Sequence, residues 1–172
     1  SFNGNKIITT GGGGAIITND ESLAKSARHL TTTAKKAHPW LFLHDVVGFN
    51  YRMPNLNAAL GCAQIASLDK FLISKRELAQ QYANWFAQYP VSFFPERPAT
   101  KANYWLNAVL LKDKASRDKL LSYTNNNGVM TRPMWTPMHT LPMYSGGVCA
   151  PLDNTKDIEA RLVCIPSGVP IL

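Results

Sequence analysis

The spacing of apolar residues predicts two helices in the first half of the chain. The longer pattern starts after Pro54 and keeps one apolar face to about Gln88, which indicates a single helix of more than 30 residues. The shorter pattern follows Asn19 or Asp20, either of which is a favourable N-cap, and ends near Leu30.

Short runs rich in β-branched residues predict the strands. Residues 7–10 and 15–18 flank four glycines and indicate an antiparallel hairpin at the edge of a sheet whose other strands lie outside this sequence. The second half predicts two strands, a helix, a strand and a final helix capped by Asn154 or Thr155. These elements fall at about residues 91–94, 104–111, 115–124, 129–132 and 155–163.

This order of elements indicates an α/β to α+β fold. The hairpin and first helix would be the end of a larger sheet whose other strands lie outside this sequence, followed by the long connecting helix and a small α+β C-terminal lobe. We therefore expect the remnant of a larger domain at 1–52, a linking helix at 53–89 and a small domain at 90–172.

Composition narrows the functional classes only a little. The 172 residues are 45% hydrophobic and 17% charged, which is typical of a globular protein. The formal charge of +7 is spread along the chain, so it favours an anionic small molecule as much as nucleic acid, and we expect no nucleic-acid partner. Three cysteines without metal-like spacing suggest reduced thiols in the cytoplasm, and we see neither a membrane span nor a signal peptide.

Lys6 is the first candidate for chemistry. An amine held among apolar residues loses part of its hydration, which favours its neutral, nucleophilic form and suits condensation with a carbonyl compound. The glycines at 11–14 allow the backbone to approach a ligand or another strand closely. The alternative is an ordinary surface lysine before a glycine hairpin. Neither the phosphate loop of nucleotide hydrolases nor the dinucleotide fingerprint is present.

Two loops carry further candidate binding residues. Residues 34–52 lack periodicity and end in Asn50, Tyr51 and Arg52, whose amide, phenol and guanidinium groups suit a phosphate or a sugar. The segment 132–144 contains three prolines and presents an aromatic wall and an imidazole through Trp135, His139 and Tyr144. The alternative interpretations are that residues 34–52 are a structural loop and that residues 132–144 are a rigid hydrophobic cover.

The first fourteen residues resemble the cofactor-lysine segment of the DegT family of sugar-nucleotide aminotransferases. The shared pattern is Ser-Phe-x-Gly-Asn-Lys-x-x-Thr-Thr-Gly-x-Gly-Gly. The resemblance implies an aspartate-aminotransferase-like fold (fold type I), with Lys6 carrying pyridoxal 5′-phosphate and acting in catalysis, and Ser1 contacting the cofactor phosphate. Gly12 stands where many members have an acidic residue.

The same resemblance implies roles for later residues. In the pattern Gly-aromatic-Asn-x-Arg-Met, Asn50 would reach the cofactor phosphate of the other subunit, with Arg52 beside it, which implies a homodimer with shared active sites. The remaining candidates would contact the substrate, and they are Tyr51, Asn55, Trp135, His139 and Tyr144.

The motif combination is similar to the subgroup that serves legionaminic-acid or bacillosamine pathways. It implies transfer of an amino group from glutamate to C4 of a nucleotide-linked 4-keto-6-deoxy sugar. No residue can be assigned to the pyridinium nitrogen or the cofactor ring face. We therefore expect that the N-terminal half of the enzyme is missing or is a separate chain, and that this chain alone is inactive. The alternatives are a non-catalytic ligand- or partner-binding domain, and a related sugar dehydratase, against which Lys6 argues.

Overall fold

The computed structural model describes residues 1–169 and divides the chain into two compact units, Ser1–Asp69 and Lys70–Leu172. The division expected from sequence, at 1–52, 53–89 and 90–172, stays a prediction, and its last three residues lie outside the described residues. None of the helices in residues 1–169 is long and apolar enough to cross a membrane.

Helix α1, Glu21–Thr31, confirms the shorter helical pattern of the sequence. It begins where the Asp20 carboxylate accepts a hydrogen bond from the Leu23 N–H at 2.9 Å, which satisfies one of the free donors at the helix start. The following segment folds back on itself through antiparallel bridges between Thr32 and Asn50 and between Lys35 and His44. The loop expected at 34–52 is therefore an ordered, backbone-paired arm.

The hairpin expected at residues 7–10 and 15–18 is wrong, because neither segment forms a strand. Instead the chain folds around Phe2, whose N–H donates to the Gly13 carbonyl at 2.9 Å and whose carbonyl accepts from the Thr10 N–H at 3.0 Å. A β-branched run becomes a strand only beside another strand, and these two have no strand partner in the part of the chain that the structure describes.

The prediction of a single long helix is also wrong in detail, because the helix is broken at Ser67. Helix α2 spans Asn55–Ala66 and helix α3 spans Leu68–Phe86. The Ser67 N–H donates to the Gln64 carbonyl at 3.2 Å, a bond over three residues that ends α2. One residue outside the helical register hardly disturbs the apolar pattern, so the sequence could not reveal the break.

The second unit contains a four-stranded antiparallel sheet in the order β1-β2-β4-β3. Its core consists of the buried side chains Val109, Leu111, Val163 and Ile165. The strands are β1 Ser92–Phe93, β2 Asn107–Leu110, β3 Arg132–Pro133 and β4 Leu162–Ile165; the helices are α4 Lys114–Asn126 and α5 Asp153–Arg161, with 3₁₀ turns at Met138–Thr140 and Pro142–Tyr144.

Strand β4 is the element that the sequence interpretation missed. The final helix was expected to run to Val163, but α5 ends at Arg161 and the strand starts at the next residue. The apolar run after Arg161 is compatible with either a buried helix or a buried strand. The structure resolves this ambiguity, since β4 pairs with β2 on one side and with β3 on the other.

We expect the N-cap of α4 to make stability depend on pH. The Asp113 carboxylate accepts a hydrogen bond from the Ser116 N–H at 2.7 Å, which lowers the pKa of Asp113 below its usual 3.8. The resulting stabilisation is complete above pH 3.8 and is lost as the pH falls through the lowered pKa. Urea unfolding between neutral and acidic pH should show a smaller acid loss for Asp113→Asn, which caps without titrating. An unchanged acid loss would contradict this assignment, and Asp153→Asn, at a residue that makes no capping bond, is the control.

Candidate functional site

Lys6 lies at the end of a turn that is fixed by its own backbone. The Lys6 N–H donates to the Asn3 carbonyl at 3.0 Å, and the Asn3 side-chain oxygen accepts from the Gly4 N–H at 2.9 Å. The turn residues before Lys6 are exposed, whereas Lys6 itself is half-buried. The turn therefore sets the position from which the amine extends.

Helix α2 anchors the segment that follows Lys6. The Asn57 side-chain amide donates to the Thr10 carbonyl, and the Thr9 N–H donates to the Gln64 side-chain oxygen at 3.3 Å. Thr10 is only 4% exposed. A Cβ at Gly61 would lie 2.9 Å from the Thr10 methyl carbon, so a glycine allows this close approach.

The glycine segment brings Ser1 back to the same region. Gly11 and Gly13 have φ of +78° and +104°, conformations that favour glycine. A Cβ at Gly14 would lie 3.8 Å from the Ser1 Cα, so these two residues are neighbours. Ser1 and Lys6 thus belong to one folded segment.

Asn50, Tyr51 and Arg52 lie together and exposed beside the end of α1. The Tyr51 N–H donates to the Thr31 carbonyl at 2.9 Å, and Arg52 Nε donates to Asn50 Oδ1 at 3.4 Å. Tyr51 is 71% exposed and stacks on Phe49 with 5.3 Å between ring centres. The cluster presents an amide, a phenol and a guanidinium to a ligand or a partner.

The arm that carries these residues depends on Gly48. A Cβ there would lie 2.6 Å from both the Ala34 nitrogen and the Thr33 carbonyl carbon, too close for any side chain. A hydrogen bond of 2.6 Å between His29 Nε2 and Asp45 Oδ1 ties the arm to α1. This hydrogen bond to His29 lowers the pKa of Asp45. The sequence analysis named neither His29 nor Asp45, and it included Gly48 only as the first residue of the pattern that contains Asn50.

An open groove of about 500 Å³ runs beside residues 14–18 and α1. Tyr51 and Arg28 lie on its wall, together with Ile16 and Ile17. Tyr51 is the predicted site residue among its lining residues. Asn55, another predicted substrate contact, is exposed at the first position of α2.

The three remaining candidates lie in the second unit, on the loop after β3. Trp135 precedes the 3₁₀ turn that contains His139, and Tyr144 ends the next turn. Trp135 is 59% exposed. The His139 Nε2 is buried without a hydrogen-bond partner in residues 1–169. Six of the predicted site residues thus belong to Ser1–Asp69 and these three to Lys70–Leu172.

The sequence analysis missed one aromatic residue beside these three. Trp105 stacks on Trp135 with 6.0 Å between ring centres. The two residues belong to segments far apart in sequence, so no local pattern could pair them. No group of three His, Cys, Asp or Glu side chains in residues 1–169 is arranged to hold a metal ion.

Comparison with known proteins identifies the family. Residues 1–171 match the model of the DegT/DnrJ/EryC1/StrS aminotransferase family. The chain is 38% identical to the GDP-perosamine synthase of Vibrio cholerae over 146 residues, which are 84% of this chain and 40% of that enzyme. It is 26% identical to the dTDP-4-amino-4,6-dideoxy-D-glucose transaminase of Escherichia coli over 69% of this chain and 34% of that enzyme.

The fold is that of the solved sugar aminotransferases. PseC of Helicobacter pylori, an aminotransferase of pseudaminic acid biosynthesis, superposes with a TM-score of 0.87 at 24% identity, covering 96% of this chain and 46% of that one. The expected fold class is therefore confirmed. The chain spans 40% to 46% of the length of the first matched relatives. Pyridoxal phosphate, the expected cofactor, is the one on which this family's aminotransferases depend. The chain therefore belongs to the DegT/DnrJ/EryC1/StrS aminotransferase family.

Proposed function

We propose that the whole protein transfers an amino group from glutamate to C4 of a nucleotide-linked 4-keto-6-deoxy sugar. The observation that carries this proposal is the folded segment that contains half-buried Lys6 and exposed Ser1 and that α2 anchors at Thr9 and Thr10. The relatives support the substrate class, since their names refer to amino sugars on GDP or dTDP.

The residues of this segment fit pyridoxal phosphate. Lys6 offers a primary amine for the aldehyde, and Ser1 offers a hydroxyl for the phosphate. Gly11 and Gly13 have positive φ, and Gly12 and Gly14 leave the backbone around them without a Cβ. When bound, the cofactor supplies the electron sink for amino transfer.

The roles of the chain's own residues follow from their chemistry. Lys6 would hold the cofactor and would move a proton as general acid and base, a role that a primary amine can fill. The Ser1 hydroxyl would donate a hydrogen bond to the phosphate. Asn50 and Arg52 are amide and guanidinium donors that would hold the phosphate of the partner subunit in a homodimer. Tyr51, Asn55, Trp135, His139 and Tyr144 would contact the substrate.

A complete site also needs a carboxylate at the pyridine nitrogen and an aromatic ring against the cofactor. We propose that residues outside this chain supply both, in the same polypeptide or in another chain, and that residues 1–172 alone do not turn over. The alternative of a stand-alone binding domain predicts that Lys6 reacts with the cofactor no more than the exposed lysines do.

Borohydride trapping tests the proposal directly. The purified chain is incubated with pyridoxal phosphate, reduced, digested and analysed by mass spectrometry. A pyridoxyl adduct on the peptide that contains Lys6, in excess over the exposed lysines such as Lys101, is the expected result. Labelling spread evenly over exposed lysines would support the binding-domain alternative. In parallel, the whole enzyme should form the amino sugar from glutamate and the keto sugar nucleotide.

A further inference from the structure

The stacked pair Trp105 and Trp135 forms a flat apolar surface in the second unit. The two indole planes differ by 24° and their centres are 6.0 Å apart. Trp135 is 59% exposed, whereas Trp105 is half-buried behind it. Trp135 therefore offers one ring face to a ligand, and Trp105 occupies the other.

Helix α3 holds the backbone of Trp105 through a buried lysine. Lys75 is only 6% exposed, and its ammonium donates to the Ser167 carbonyl at 2.5 Å and to the Trp105 carbonyl at 3.5 Å. No carboxylate in residues 1–169 pairs with it, and burial lowers the pKa of Lys75. A buried amine without an acidic partner is unfavourable, so its two carbonyl bonds matter to the local structure.

The next residue of α3, Arg76, also fixes the stretch of chain that leads to Trp105. Arg76 forms a forked ion pair with Glu96, at 2.6 Å and 3.1 Å, and also donates to the Ala102 carbonyl at 2.6 Å. Glu96 in turn accepts from the Ala102 N–H at 2.7 Å. Both polar backbone atoms of Ala102 are therefore fixed, three residues before Trp105.

The backbone between Ala102 and Trp105 is strained at Tyr104. Tyr104 has φ of 45°, in the left-handed region that a residue with an aromatic side chain rarely adopts. The Arg76 guanidinium lies 5.6 Å from the centre of the Tyr104 ring, and the Tyr104 hydroxyl accepts from the Glu96 N–H at 3.3 Å. This backbone conformation persists because the surrounding contacts impose it, and it sets the direction of Trp105.

We propose that the Trp105–Trp135 pair binds the apolar C–H face of the sugar ring, with Trp135 as the contact residue and Trp105 as its positioning residue. This inference rests on the proposed function and names the part of the substrate that the second unit recognises. A six-membered sugar ring presents ring C–H groups, and in a 6-deoxy sugar also a methyl group, to a flat aromatic surface. The names of these two relatives differ in the nucleotide, GDP or dTDP, but each contains an amino sugar. This favours the sugar over the base as the occupant.

Calorimetric titration of the whole enzyme tests this assignment. The probes are GDP-perosamine and dTDP-4-amino-4,6-dideoxy-D-glucose, each compared with its free nucleoside diphosphate. For at least one pair, we expect the sugar-linked form to bind about fivefold more tightly or better, since truncating an aromatic contact commonly changes affinity by that much. Trp135→Ala and Trp105→Ala should remove the preference for the sugar-linked form and leave binding of the free diphosphate unchanged.

Two further variants separate positioning from simple stability. Arg76→Lys keeps the charge but loses the forked geometry, so it should reduce the sugar preference partially. Trp85→Ala removes an exposed indole of α3 outside the pair and should keep the wild-type preference. Urea midpoints of all variants show whether a lost preference merely reflects unfolding, and Trp105→Phe, which keeps an aromatic ring, should restore part of it.

Three outcomes would overturn the inference. The first is an equal loss of affinity for the free diphosphates, which would assign the pair to the nucleobase. The second is an unchanged sugar preference in Trp105→Ala and Trp135→Ala, and the third is no binding of any probe to the wild-type whole enzyme. None of them bears on the pyridoxyl adduct at Lys6, so failure here is distinguishable from failure of the proposed function.

Discussion

Lys6→Ala in the whole enzyme should abolish the trapped pyridoxyl adduct and lower the rate of amino-sugar formation by at least about 10²- to 10⁴-fold. The adduct needs the primary amine, and a positioned general acid and base contributes a rate factor of that size. The rate follows from product formation with glutamate, and the adduct from mass spectrometry of the reduced protein. The turn itself is held by the Lys6 backbone N–H, which Lys6→Ala keeps, and the urea midpoint of the variant shows whether it remains folded.

Lys25→Ala is a suitable control for Lys6→Ala. Lys25 is exposed on α1 and pairs with Glu21 at 3.0 Å, so its loss removes one positive charge without touching the Lys6 turn. Adduct and rate should both persist. Retained turnover in Lys6→Ala would refute the assignment of Lys6 and direct attention to another amine of the chain.

Gly48→Ala should destabilise the first unit by about 1–3 kcal/mol, the usual range for forcing an extra carbon into a filled site. The new Cβ would lie 2.6 Å from two backbone atoms, and neither can move aside as a side-chain tip could. To remove the overlap, Gly48 must move away from residues 33–34 at the start of the arm, which are themselves held at φ of 70° and 51°. Urea unfolding gives the free energy, and amide exchange of residues 32–50 shows whether the arm opens.

The matched control is Gly146→Ala, because a Cβ there meets nothing within 4 Å. It should change the free energy of unfolding by a few tenths of a kcal/mol at most. If Gly48→Ala behaves in the same way, the close approach of Gly48 to Thr33 and Ala34 is wrong. The adduct at Lys6 should survive in Gly48→Ala, whereas any contribution of Asn50 to a partner subunit should be lost.

Local signals in the sequence predicted the elements that local interactions build. Asp20 and Asp113 each accept a hydrogen bond from a backbone N–H three residues later, so the helices they cap could be located from residue types alone. Strand β4 could not be located in this way, because its identity depends on pairing with β2, more than 50 residues away. The hairpin failed for the corresponding reason, since a strand propensity without a partner strand does not specify a strand.

The candidate site shows the same contrast between what local sequence reveals and what depends on distant contacts. Lys6, Ser1 and Asn50 lie in motifs that the sequence displays directly. The atoms that hold the Lys6 segment come from Asn57 and Gln64, 47 and 55 residues from the backbone groups they bind. Only the fold brings such distant groups together, so a sequence pattern finds candidate site residues and leaves out the residues that hold them in place.

The direct junction between α5 and β4 has a consequence for synthesis of the protein on the ribosome. Strand β4 lies between β2 and β3, so the sheet lacks its middle strand until Leu162–Ile165 has left the exit tunnel. Until then β2 presents an unpaired edge, the kind of surface that promotes aggregation. A nascent chain that stalls while Leu162–Ile165 is still inside the tunnel should therefore need a chaperone more than the chain released from the ribosome.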